Sequence, residues 1–321
     1  LVDVENPSAE VSVNYEPNKT YYGYFDSSKY YDYDGTKWVT TNDPYDDDRI
    51  GNKYAISGNL LNFLTMSRLD LSLKSLVGGK KVDCSTSKCL EPQGSKRYVE
   101  FENMSCVAYV GPKDPTSDTY SDKRLRINIV DDGSNNCDIS FDELRYARVN
   151  TEDERNGIVQ NNFGSIRFGL INFSGNSDGI IKYPLHHSNM TELITTIENE
   201  VPYGGTPTGQ AMWEAHNYLK QITEYTDDEA VIHHYEDYND RYINKGKEED
   251  PYYEDVNDDL QPAWCRKSFV VLVSDGVWNQ GIDPLQPAHI MHTEDLRESD
   301  DLKNNQTAKV YSLFSFADDE R

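Results

Sequence analysis

Ser268-Phe269-Val270-Val271-Leu272-Val273-Ser274-Asp275-Gly276 is the stretch on which the fold of this chain turns. Five apolar residues follow one another, three of them β-branched valines, between the charge of Lys267 and the break at Gly276. An apolar run without alternation predicts a strand of a mostly parallel sheet, buried on both faces under helices. Such a strand delivers Asp275 to its carboxyl end, where open α/β sheets hold their ligands. The functional question is what else arrives beside Asp275.

Upstream stands Gly204-Gly205-Thr206-Pro207-Thr208-Gly209, followed at once by Gln210 to Leu219 with apolar residues at helical spacing. The glycines free the backbone, the threonine presents a hydroxyl, and a helix begins. A hydroxyl and a carboxylate at neighbouring loop tips make an oxygen-rich site suited to a hard divalent cation. Taken singly, each residue has an ordinary role, Thr206 as a helix N-cap and Asp275 in a turn. As an ordered pair they resemble the von Willebrand factor A family. There a threonine after a Gly-rich turn and an aspartate in a strand-ending Ser-Asp-Gly are two limbs of a metal-ion-dependent adhesion site. The resemblance implies Thr206 and Asp275 as metal ligands, with Mg2+ or Ca2+ as the cation.

The family's third limb is Asp-x-Ser-x-Ser after the first strand. Here Asp3 is present, but Glu5 and Pro7 stand where the serines belong, and only Leu1 and Val2 precede Asp3. Either the first strand begins upstream of Leu1 or the metal loop is altered. Glu5, Asn6 and Ser8 are the substitute oxygens, the alternative being an ordinary loop.

The chain has 321 residues, 56 acidic against 31 basic, and a net charge of -25. Much of it must therefore be solvated surface or insertion. Phosphate backbones need clusters of Lys and Arg, so this balance excludes nucleic acid as a partner class. No run approaches the roughly 18 apolar residues of a membrane span. Tyrosine is abundant, 23 residues, many in polar company as in Tyr21-Tyr22-Gly23-Tyr24 and Tyr30-Tyr31-Asp32-Tyr33. Such residues serve an exposed binding face or pack insertions onto a domain, the second being the commoner use.

Cys84 and Cys89 lie in a short polar loop, too widely spaced for a zinc knuckle and without a second pair. A local disulfide is expected, and with it an exported protein. Cys106 and Cys137 form the next candidate pair and Cys265 is left over; the odd count leaves that connectivity open. Asp131 to Asp138 offers calcium-type oxygens without the EF-hand glycine, and reads as a solvated turn. His233 with His234, and His289 with His292, match no zinc pattern and read as surface or packing residues.

Three insertions are expected, at about 14–55, 80–138 and 224–264. The second holds four cysteines and reads as a disulfide-stapled, strand-rich subdomain. Ser57 to Gly79 has a broad apolar face and a glycine stop, as one amphipathic helix. Residues 141–163 read as a helix bent near Asn156-Gly157.

Several runs resemble the PilY family of type IV pilus tip-associated adhesins and biogenesis factors. They are Asn14 to Asp26, the Asn-x-x-x-Met-Ser-Arg core from Asn62 to Arg68, Cys265 to Pro284, and Met291 to Arg297. The resemblance implies one doubly wound, Rossmann-like A-type α/β domain over 1–321, with the family's C-terminal β-propeller outside this sequence. It further implies an extracellular place at the pilus tip or outer surface, minor pilins as partners, and a surface or host ligand. Adhesion is expected rather than turnover, since no Gly-x-Ser-x-Gly elbow, phosphate loop or catalytic carboxylate pair is present. The other reading from the same likeness is a metal-free assembly module that docks minor pilins through its Tyr-rich insertions.

Overall fold

A computed structural model describes residues 18–42, 55–85, 87–92, 97–101, 104–110, 124–129, 145–151, 156–173, 179–185, 187–200, 205–226, 232–234, 242–263, 265–274, 282–298 and 302–314. The chain divides into two compact units, Leu1–Asn161 and Asn162–Arg321. Both mix helix and strand.

In the first unit, β1 (Tyr30–Tyr33) and β2 (Trp38–Thr41) form a hairpin, and β3 (Ile56–Ser57) leads into α1 (Gly58–Thr65) and α2 (Arg68–Val77). Then follow β4 (Lys81–Cys84), β5 (Ser87–Leu90), β6 (Arg97–Phe101), β7 (Met104–Val110), β8 (Arg124–Ile129), β9 (Arg145–Tyr146), β10 (Val149–Asn150) and α3 (Ile158–Asn162). One sheet is mixed, in the order β3-β1-β2-β10-β5-β4; β10 runs parallel to β2 and the other pairings are antiparallel. A second, β6-β7-β8-β9, is antiparallel.

Of the region expected as a disulfide-stapled subdomain, the described residues form β4 to β8, and Cys84 and Cys89 are bonded across the β4–β5 hairpin. That hairpin belongs to the larger sheet. Cys106 lies on β7, Cys137 lies outside the described residues, and Cys265 is a free, exposed thiol. The core is built on the Tyr-rich segment, with Tyr24, Phe25, Tyr31 and Trp38 packed against Leu61, Phe63 and Leu64. Tyr24 and Tyr31 therefore pack the unit, whereas Tyr22 is exposed.

Two expectations need correction here. The single helix over 57–79 is two, because Ser67 opens a capping box: its Oγ accepts from Asp70 N–H at 3.1 Å while the Asp70 carboxylate accepts from Ser67 N–H at 2.8 Å. Those reciprocal bonds satisfy orphan donors of a new helix and fix the break at Met66. Residues 141–163 are not one helix either. Val149 pairs with both Trp38 and Leu90, so the sheet takes that part of the segment, and among its described residues helix is confined to α3.

The second unit contains β11 (Leu170–Asn172), β12 (Ile180–Tyr183), α4 (Met190–Asn199), α5 (Thr208–Lys220), β13 (Glu224–Thr226), β14 (Ile232–His234), β15 (Tyr253–Asp255), β16 (Leu260–Pro262), β17 (Ser268–Ser274), α6 (Leu285–Thr293) and β18 (Ala308–Phe314). β11 with β12, β13 with β14, and β15 with β16 are antiparallel hairpins. β17 and β18 are a parallel pair in register from Ser268 opposite Ala308 to Ser274 opposite Phe314.

Val270 and Val310 pack on Met212, Ala215, Leu219 and Met291, which places α5 and α6 on one face of that pair. On the other face Phe269, Val271 and Val273 are 55%, 54% and 39% exposed. The expected burial on both faces is thus not met. An apolar run records that no residue needs water; it does not record how many layers cover it. The described architecture is mixed α/β.

Candidate functional site

The helix expected after the Gly-rich turn is α5, buried along almost its whole length from Thr208 to Leu219. Such a helix lies inside a unit rather than on its surface. Its N-cap position is Pro207, and no side chain caps it, so Thr206 is not the N-cap. Thr206 is nonetheless buried, and its carbonyl accepts from Thr208 N–H at 2.9 Å. Thr208 is 2% exposed, and among the described residues its Oγ1 has no hydrogen-bond partner. A buried hydroxyl without a partner costs about 1–3 kcal/mol, which makes it the exceptional group of this turn.

Gly209 places the turn in the fold. A Cβ at that position would overlap the Ile282 carbonyl oxygen, so only glycine lets the first turn of α5 come this close to that backbone. Ile282 is where the chain is again described after leaving β17 at Ser274, itself buried. The structure therefore brings Gly209, at the start of α5, against the backbone at Ile282. Asp275 and the rest of 275–281 lie outside the described residues, as do Asp3, Glu5, Asn6 and Ser8. Sequence reading singled out Thr206 and passed over Thr208, although Thr-Pro-Thr sets both hydroxyls at one helix start.

The second unit also holds buried polar contacts, one of them from Tyr218 on α5. Tyr218 Oη accepts from Leu185 N–H at 2.9 Å, and burial holds its phenol well above the usual tyrosine range. Arg167 donates to the carbonyls of Pro251 and Tyr253 at 2.5 and 3.3 Å, and burial lowers its pKa. Arg297 grips Asp250 with both guanidinium nitrogens, at 2.7 and 2.6 Å, and its guanidinium lies over the Tyr252 ring. These groups position elements of the second unit.

Other candidate ligands stay dispersed. His289 and His292 share one face of α6 and are exposed. His233 and His234 are neighbours on β14, and Asp131 to Asp138 lies outside the described residues. Among the described residues no group of three or more His, Cys, Asp or Glu is arranged to hold a metal ion.

Residues 12–155 match the family model described as PilY1 homolog, small alpha/beta domain. The matched span falls within the first compact unit, whose mixed sheet and paired helices fit that description. It supports kinship with PilY1 homologs over that part of the chain. No curated protein and no solved structure matches the chain. Among the described residues no helix is long and apolar enough to cross a membrane.

Proposed function

We propose that this chain is a type IV pilus-associated protein that works by adhesion and assembly at the pilus tip. The observation that carries the reading is the match of residues 12–155 to the PilY1-homolog domain. In this reading the second unit is an A-type domain whose ligand edge lies where the Thr206–Gly209 turn meets the backbone at Ile282. Thr206, with Asp275 one residue beyond Ser274, supplies oxygens for Mg2+ or Ca2+, and the Thr208 hydroxyl is a further donor within the same turn. Hydroxyl and carboxylate oxygens are the donors such hard cations take. A cation held there keeps a coordination position for a carboxylate of a surface ligand or a minor pilin. The product of the site is attachment, with no bond made or broken.

The test is calorimetric titration of Mg2+, Mn2+ and Ca2+ into the chain, Asp275→Ala and Thr206→Val, alongside binding of purified minor pilins. Binding of one cation by the parent, lost in both variants, is the expected result. Pilin binding without cation binding removes the metal and leaves an assembly module. Neither interaction, with folding intact by circular dichroism, overturns the reading.

A further inference from the structure

Asn156-Gly157 is the only Asn-Gly pair in the chain, and packing dictates its second residue. A Cβ at position 157 would overlap the Leu76 carbonyl and the Val77 nitrogen, so only glycine lets the start of α3 lie against the end of α2. Gly157 is buried, whereas Asn156 before it is exposed to water. Asn-Gly is the pair most prone to lose its side-chain amide. With no Cβ on the following residue, the backbone nitrogen turns easily onto the asparagine Cγ.

Here that nitrogen is held. Gly157 N–H donates to Gln160 Oε1 at 3.0 Å, and Gln160 Nε2 donates to the Val77 carbonyl at 2.8 Å. The Gly157 carbonyl accepts from Asn161 N–H at 3.2 Å, the bond that opens α3. One side chain thus clasps the nucleophile and ties α3 to α2. Attack requires the nitrogen to give up its proton and turn its lone pair toward Cγ, and neither happens while the clasp is closed.

We infer that Asn156 is a modification site: water converts it to aspartate or isoaspartate, and the clasp from Gln160 to Gly157 sets the rate. The Gly157 nitrogen bonds to Asn156 Cγ and gives its proton to solvent, while the Cγ–Nδ2 bond breaks and the amide nitrogen leaves as ammonia with a proton from water. Water then opens the succinimide. Breaking the new bond to Cγ restores the main chain with a carboxylate at 156; breaking the bond to the backbone carbonyl carbon leaves isoaspartate. The balance is one water consumed and one ammonia released. Isoaspartate adds a main-chain carbon directly before a residue wedged against Leu76 and Val77, so the clasp does not reclose. The product is a one-way record of how often α3 lifts from α2, a local opening. It does not depend on the metal reading.

The test is peptide mapping by mass spectrometry of the whole chain held at mildly alkaline pH, beside the synthetic peptide Glu154-Arg155-Asn156-Gly157-Ile158-Val159. The peptide should convert at least about tenfold faster than the chain, because only the open state reacts. Gln160→Ala should speed the chain by about fivefold, the shift expected for one lost hydrogen bond. Asn62→Ala weakens the first unit away from the clasp and should leave the rate unchanged. Hydrogen exchange of the Gly157 amide in the parent, which needs no variant, should show protection. Equal rates for chain and peptide, an unprotected Gly157 amide, or no acceleration in Gln160→Ala overturns the proposal. So does equal acceleration in Asn62→Ala, which would assign the reaction to global unfolding, and so does a peptide that converts while the chain and Gln160→Ala do not.

Discussion

The side-chain amide of Asn62 holds the backbone of Phe25 at both ends. Its Oδ1 accepts from Phe25 N–H at 3.0 Å, and its Nδ2 donates to the Phe25 carbonyl at 2.8 Å. The same Nδ2 donates to the Tyr21 carbonyl at 2.8 Å. One turn earlier on α1, Asn59 accepts from Tyr21 N–H at 2.7 Å and donates to the Lys19 carbonyl at 2.8 Å. Two amides three residues apart thus do for an irregular segment what a ladder does for a strand. This lets the Tyr-rich segment place Tyr24 and Phe25 in a core.

Asn62→Ala should therefore act as a core mutation. Phe25 is 3% exposed, and a buried N–H left without its acceptor costs about 1–3 kcal/mol, with further loss from the two carbonyls. Chemical unfolding read by hydrogen exchange of the first unit should show a loss of about 2–4 kcal/mol there. A loss under about 0.5 kcal/mol, the range of ordinary surface substitutions, would mean the clamp contributes little.

The Cys84–Cys89 bond closes a short loop on the β4–β5 hairpin. Loop-closure entropy for so short a loop amounts to about 2 kcal/mol. Reduction, or Cys84→Ser with Cys89→Ser, should destabilise the first unit by that amount and leave the second unchanged. Equal effects on both units would contradict the assignment.

Arg297→Ala strands Asp250, which is 5% exposed and also accepts from Tyr252 N–H at 2.9 Å. Breaking a buried pair from one side costs about 3–5 kcal/mol. Arg297→Lys should recover only part of this, because an ammonium cannot reproduce the two-pronged grip. Denaturant unfolding of the three proteins decides it; full recovery by lysine would show that charge alone matters.

Tyr218 sets a stability limit on the alkaline side. Burial raises its folded pKa above an unfolded value of about 10, so the neutral phenol stabilises the fold fully below that pH. The contribution is lost as pH rises through the folded value. Burial also raises Tyr183 and Tyr252, which act in the same direction. Unfolding free energy measured from pH 8 to 11 should fall above about pH 10, and Tyr218→Phe should flatten part of that fall. The variant should also be less stable near neutrality, since Leu185 N–H loses its acceptor. An unchanged slope would dismiss Tyr218 as a source.

Short-range signals in the sequence determined the local elements. The spacing of apolar residues set α5 and the β-branched run set β17, while proximity joined Cys84 to Cys89. Each rests on a few consecutive residues, whose periods and reach need no distant partner. The Ser67-Asp70 capping box was equally local, but it was hidden inside a longer apolar pattern that read as one helix.

Only the tertiary structure decided what each element faces. Asn62 reaches Phe25 across 37 residues, a contact that no local pattern encodes. Gly209 reads as a helix-start glycine until the Ile282 backbone is seen against it, and Thr208 reads as ordinary until its hydroxyl is found buried without a partner among the described residues. Phe269, Val271 and Val273 read as core, yet burial belongs to the layers packed on a strand, and α5 and α6 cover one face. Composition tells a chain which surfaces it can remove from water; chain-distant packing selects which ones it does.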